Sequence, residues 1–119
     1  MVESVFLRVE NDDGVVDFVS FGQAEQRLVG RDADCAWRSS SLFVSRRHCV
    51  FDIDPPFVSV RDLQSLNGTY VNGQRIEGEL RLTFGDVVKV GSMIWEVREG
   101  LDFGAYLNQD QREADLAKV

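Results

Sequence analysis

Five arginines fall between residues 27 and 47: Arg27, Arg31, Arg38, Arg46 and Arg47. They are answered there only by Asp32 and Asp34, a local balance of +3 in a chain whose formal charge is −7. A basic spot on an acidic body suits a partner with one localised negative charge, such as a phosphate on an ordinary peptide, better than a long polyanion. The type of cation agrees with this, since 11 of the 13 basic side chains are Arg and only a guanidinium offers the planar fork that grips a phosphate through two bonds. Ser45 and His48 stand three apart and invite a nucleophile-and-base reading, but no oxyanion loop or nucleophile elbow accompanies them. Paired carboxylates, a metal cluster and a glycine-rich phosphate loop are also missing, so an enzyme and catalytic residues are not expected. Cys35 and Cys49 are 14 positions apart without a C-x-x-C and share the chain with one His, a poor set for zinc. Buried free thiols are expected, with no metal and no cofactor.

The net charge argues against nonspecific binding to nucleic acid or to an anionic membrane. Apolar runs are only a few residues long, far short of the roughly 20 that a membrane span needs, and Glu3 and Arg8 interrupt any signal-like start. A cytoplasmic protein is expected. With 119 residues, 44% hydrophobic and 28% charged, the chain suits one domain with its own core.

The elements that must hold the arginines are short strands. Val5, Leu7 and Val9 alternate with Phe6, Arg8 and Glu10, and after Asn11-Asp12-Asp13-Gly14 a second run reaches Phe21, which predicts a hairpin. Tyr70-Val71 and Arg75-Ile76 flank Asn72-Gly73, a pair suited to a type I′ turn, and Gly91-Ser92 joins residues 86–90 to 93–97. Residues 48–53 and 57–63 read as strands around Asp54-Pro55-Pro56, with no 3.6-residue period. The body is therefore all-β, a sandwich of two sheets with its binding loops gathered at one end. Residues 31–47 and 64–69 are the least regular stretches and the expected seat of function. Asp110-Gln111-Arg112-Glu113 resembles a capping box, which favours a short helix in a helical or irregular segment over 100–119, an extension or the start of a linker, after a domain over 1–99.

Three clusters stand out: Gly30-Arg31, Ser45-Arg46-Arg47-His48, and Ser65-Leu66-Asn67-Gly68-Thr69 followed by Asn72-Gly73. With Gly85-Asp86 and Val90-Gly91 near the end, their order and spacing from about residue 4 to 98 resemble the forkhead-associated (FHA) domain. The resemblance implies an eleven-stranded β-sandwich that binds phosphothreonine peptides through loops at one edge. A phosphothreonine brings about −1.5 to −2 charge and three strong acceptor oxygens, so a receptor needs donors from several loops and at least one Arg. By resemblance Arg31 and Ser45 hold the phosphate oxygens, Arg46 adds a phosphate contact, and Asn67 binds the peptide backbone. His48 is then structural, its ring holding the loop backbone that presents Ser45, while Gly30, Gly68, Thr69, Asn72 and Gly73 shape the backbone. The implied partner is a phosphothreonine protein, a Ser/Thr kinase or its substrate, and the implied role is that of an adaptor.

Two positions depart from the family pattern. Position 66, where many members carry a polar donor, is Leu66, and Phe43, two before Ser45, is apolar where the family often reads the +3 peptide residue. An aliphatic or aromatic +3 residue is expected. Leu66 also leaves room for a scaffold that binds partners without phosphate. The only threonines are Thr69 and Thr83, so the phosphothreonine is expected to come from outside these 119 residues. Trp37 and Trp95 are expected to pack in the core, and Arg47 is open between a peripheral contact and a solvated charge.

Overall fold

The computed structural model describes residues 4–100. They form eleven strands: β1 (Val5–Glu10), β2 (Val16–Phe21), β3 (Glu25–Gly30), β4 (Trp37–Arg38), β5 (Cys49–Asp54), β6 (Phe57–Asp62), β7 (Tyr70–Val71), β8 (Gln74–Arg75), β9 (Glu79–Leu82), β10 (Val87–Val90) and β11 (Met93–Glu99). One sheet has the order β2-β1-β11-β10-β7-β8 and the other β4-β3-β5-β6-β9. All pairings are antiparallel except β3 with β4. The all-β, two-sheet expectation holds.

Alternation builds the core. In β11, Met93, Trp95 and Val97 point inward and Ile94, Glu96 and Arg98 lie between them, half-buried; in β5, Phe51 and Ile53 are buried and Asp52 and Asp54 exposed. Trp95 lies 5.7 Å from Trp37 and 5.1 Å from Phe51, ring centre to ring centre, so both tryptophans are core residues that bridge the two sheets. Aromatic contacts of this kind add roughly 0.5–1.5 kcal/mol each beyond the area they bury.

Asn72 and Gly73 take positive φ (51° and 83°), as a type I′ turn demands. Because that turn uses just two residues, β8 starts at Gln74 rather than at the expected Arg75, and Tyr70 pairs with Arg75. The predicted helix near Asp110 lies outside the described residues. Among the described residues, no helix is long and apolar enough to cross a membrane.

The strand directions divide the loops between two ends. The β1–β2, β3–β4, β4–β5, β6–β7 and β10–β11 connections share one end; the β5–β6 and β9–β10 turns lie at the other, with the start of β1 and the end of β11.

Candidate functional site

Gly30 closes β3 where the β4–β5 loop crosses it. A Cβ there would sit 2.1 Å from the Arg46 carbonyl oxygen, so only glycine admits the crossing. Backbone bonds fasten the loop at this point: the Arg31 amide donates to the Ser45 carbonyl (3.2 Å), Asp32 to Arg46 (3.1 Å) and Ser39 to Gly30 (2.9 Å). Two loops thus present Arg31, Ser45 and Arg46 side by side. Arg31 Nε donates to the Val44 carbonyl at 2.6 Å, which orients the guanidinium and leaves its terminal nitrogens for a ligand.

Ser45 is held from both sides. Its amide donates to His48 Nδ1 (3.1 Å), and its hydroxyl oxygen accepts from the Leu66 amide (3.2 Å), so the hydroxyl proton is left to donate. His48 is fully buried and its Nε2 lies 2.8 Å from the Gly68 carbonyl. Since Nδ1 accepts, the proton sits on Nε2 and the ring is neutral. Burial lowers its pKa below the usual histidine value, against the smaller opposing pulls of the Gly68 bond and Asp62. Both ring nitrogens face backbone groups, so His48 does not face the Ser45 hydroxyl as a base would.

The β6–β7 loop is wired around a residue that the sequence reading missed. The Asp62 carboxylate accepts from the Ser65 amide (3.1 Å), the Ser65 hydroxyl (2.6 Å) and the Thr69 hydroxyl (2.8 Å), and Ser65 Oγ accepts in turn from the Gly68 amide (3.0 Å). Burial raises the Asp62 pKa, but the bonds from Ser65 and Thr69 outweigh it and hold the carboxyl below its ordinary value. Gly68 has φ 93° and lies against Arg75, whose Nη2 donates to the Ser65 and Leu66 carbonyls at 3.3 and 3.4 Å. Asn67 Nδ2 donates to the Phe43 carbonyl (2.8 Å), joining this loop to β4–β5. Asn72 ties its turn to β10, donating to Asp86 and accepting from the Val87 amide.

A second unpredicted residue, Asp12, reaches across from the β1–β2 turn. Its carboxylate accepts from the Ser39 hydroxyl (2.6 Å), the Ser40 amide (3.2 Å) and, on the other oxygen, the Ser92 hydroxyl (2.8 Å). Ser39 Oγ accepts from the Ser41 amide and Ser41 Oγ from the Phe43 amide, so the chain of bonds runs to the residue beside Val44 and Ser45.

Leu66 and Phe43 are 82% and 72% exposed at the same end, too far into solvent to be core residues. Beside them Phe43, Asn67, Gly68, Tyr70, Lys89 and Gly91 line a groove of about 360 Å³. Arg47 pairs with Asp34 (3.1 Å) on the surface, a solvated ion pair worth little. Arg46 is exposed, and its side chain has no acidic partner among the described residues. Cys35 and Cys49 are buried free thiols; burial pushes Cys49 up to about 12. Among the described residues, no group of His, Cys, Asp or Glu could hold a metal.

The family model of the FHA domain matches residues 27–91. A solved structure from work on phosphothreonine-dependent FHA domain interactions is similar over 81% of this chain and 96% of its own, with 33% identity and a TM-score of 0.67. The FHA domain of FhaA, solved in complex with the intracellular domain of Rv3910, is similar over 79% of this chain and 99% of its own, with 33% identity and a TM-score of 0.66. FhaA of Mycobacterium tuberculosis is 38% identical over 64 residues, which are 54% of this chain and 12% of FhaA. The matched stretch covers from 2% to 38% of the length of the curated relatives.

Proposed function

The chain belongs to the FHA domain family, and from that premise we propose that its loop end captures a phosphothreonine on a partner protein, as a non-catalytic adaptor in Ser/Thr kinase signalling. The observation that carries this reading is the meeting of Arg31, Ser45 and Arg46 at one place, with the Arg31 terminal nitrogens and the Ser45 hydroxyl proton uncommitted by the bonds that position them. Arg31 and Ser45 take the phosphate oxygens and Arg46 adds charge from the rim. Asn67 hydrogen-bonds the peptide backbone next to the phosphothreonine, exchanging its bond to Phe43. Hydrogen bonds to charged groups contribute about 1.5–3 kcal/mol each, so the loss of Arg31 weakens a short peptide beyond detection.

Phe43 and the groove beside it favour an aliphatic or aromatic residue at +3. A peptide array in which Asp at +3 binds best would sink that preference. The partner is a Ser/Thr kinase or one of its substrates. Leu66, exposed where a polar donor would stand, favours one second reading, a scaffold that binds without phosphate.

Fluorescence anisotropy separates the two, using a degenerate peptide library with phosphothreonine, phosphoserine or threonine at the centre. The phosphothreonine reader binds one form only and loses it with Arg31→Ala or Ser45→Ala while thermal stability stays nearly unchanged. Binding indifferent to phosphate and to both substitutions establishes the scaffold instead.

A further inference from the structure

The sheet β4-β3-β5-β6-β9 ends on β9, and nothing among the described residues hydrogen-bonds to the outer edge of that strand. Which backbone groups it leaves free follows from the register. The Asp62 amide donates to the Gly78 carbonyl, Leu80 stands opposite Val60 and Leu82 opposite Val58. Bonds alternate along an antiparallel strand, so Leu80 and Leu82 turn their backbone groups toward β6 while Glu79 and Arg81 turn theirs outward. Leu80 shares a face with Val60, which is fully buried, yet Leu80 itself is 40% exposed. An inward-facing apolar side chain left partly uncovered beside free backbone marks a sheet edge with room for one more strand.

Natural edges repel other strands with prolines, bulges or like charges. β9 reads Glu79-Leu80-Arg81-Leu82 and pairs with β6 residue for residue, without proline or bulge. Its two charges are exposed, lie on one face and are opposite in sign. Arg81 has no carboxylate partner among the described residues, and Glu79 is met there only by the Ser59 hydroxyl, at 3.0 Å. A strand with this pattern complements itself. Laid antiparallel against a second β9 with Leu80 opposite Leu80, Glu79 of each copy faces Arg81 of the other. The same register makes these the hydrogen-bonded pairs, satisfying the outward amides and carbonyls, and places the two leucines in the closer, non-hydrogen-bonded position. A slip by two residues sets Glu79 against Glu79 or Arg81 against Arg81, and a slip by one turns the free backbone groups out of register.

We propose that the chain self-associates through β9, two copies pairing edge to edge about a two-fold axis at Leu80, so that their five-stranded sheets run on into each other. The backbone bonds hold the copies together and the charges fix the register. Because the paired strands are antiparallel, the two loop ends point in opposite directions and present themselves to separate partners. That last consequence rests on the phosphothreonine reading; the pairing does not.

The test is sedimentation equilibrium of the full chain up to millimolar concentration, as wild type, Glu79→Arg and Arg81→Glu. The wild-type mass should rise from 13.4 kDa toward twice that value. Each variant sets like charges opposite one another twice, by symmetry, and should weaken association about tenfold or more. An equimolar mixture of the two variants should recover wild-type association, because each supplies the charge the other lacks. Amide exchange reads the register separately: protection at Glu79 and Arg81 should grow with concentration, while Leu80 and Leu82 are protected throughout. A mass that stays monomeric overturns the proposal and leaves the edge to a strand of another protein. Association that both variants leave intact, or a mixture that does not recover it, overturns it as well, since the contact then lies on another surface or in another register.

Discussion

Asp12 and His48 touch no ligand in the proposed complex, yet the positions of Ser45 and its neighbours depend on both. Asp12 is the acceptor for the hydroxyl of Ser39, which is 1% exposed, and a buried donor without its partner costs about 1–3 kcal/mol. Asp12→Ala should therefore lower Tm by several degrees and weaken phosphopeptide binding roughly tenfold, the second effect through a loosened β4–β5 loop. Calorimetry alongside anisotropy measures both; undiminished affinity would mean that Ser39 finds another acceptor. His48 adds a pH dependence. Its pKa is lowered in the folded protein chiefly by burial, so as pH falls through the ordinary value of about 6.5 the unfolded chain takes up a proton that the folded chain resists. Stability should thus be full above that value and fall on acidification below it. Protonation of Nδ1 would also remove the acceptor of the Ser45 amide. An NMR titration of the His48 ring should give a midpoint below 6.5, and a midpoint above it would contradict the neutral, doubly bonded ring.

At the scale of strands and loops, the site rests on one close crossing, β4–β5 over the end of β3. Gly30→Ala would push the Arg46 carbonyl away and separate Arg31 from Ser45. A loss of about 1–3 kcal/mol is expected, as for other overpacked sites, together with loss of peptide binding. A thermal melt and an anisotropy titration on the same sample check this. Much of this scale was legible in advance, because turn chemistry is local: Asn72-Gly73 and Gly91-Ser92 announce their hairpins through the φ values they permit. The cluster from Ser45 to His48 was visible for the same reason, as one short run with a recognisable spacing. The β9 strand was not, since Glu79, Leu80 and Arg81 are all exposed and no alternation marks it. Asp62, Arg75 and Asp12 escaped as well. Each works through contacts with other loops or its own turn, with Asp12 reaching residues 27 and 80 positions away, and no period in the sequence encodes such a reach.

Taken as a whole, the molecule opposes its own site. A body of net charge −7 repels a phosphopeptide at long range, and the arginine spot attracts it only close in. Peptides with Lys or Arg beside the phosphothreonine should therefore associate faster than those with Asp or Glu. The gap should narrow as salt shortens the screening length from about 10 Å at 0.1 M to about 3 Å at 1 M. Stopped-flow association rates at the two salt concentrations would show it, and rates insensitive to flanking charge would place the steering elsewhere. The pairing of β1 with β11 has another consequence. Ser4 and Gly100 are hydrogen-bonded neighbours at the end remote from the loops, so the described residues begin and end side by side. A unit cut at these two residues should tolerate insertion into a surface turn of a host protein, or the joining of its ends with new ones cut at another turn, and the loops at the far end would still face outward.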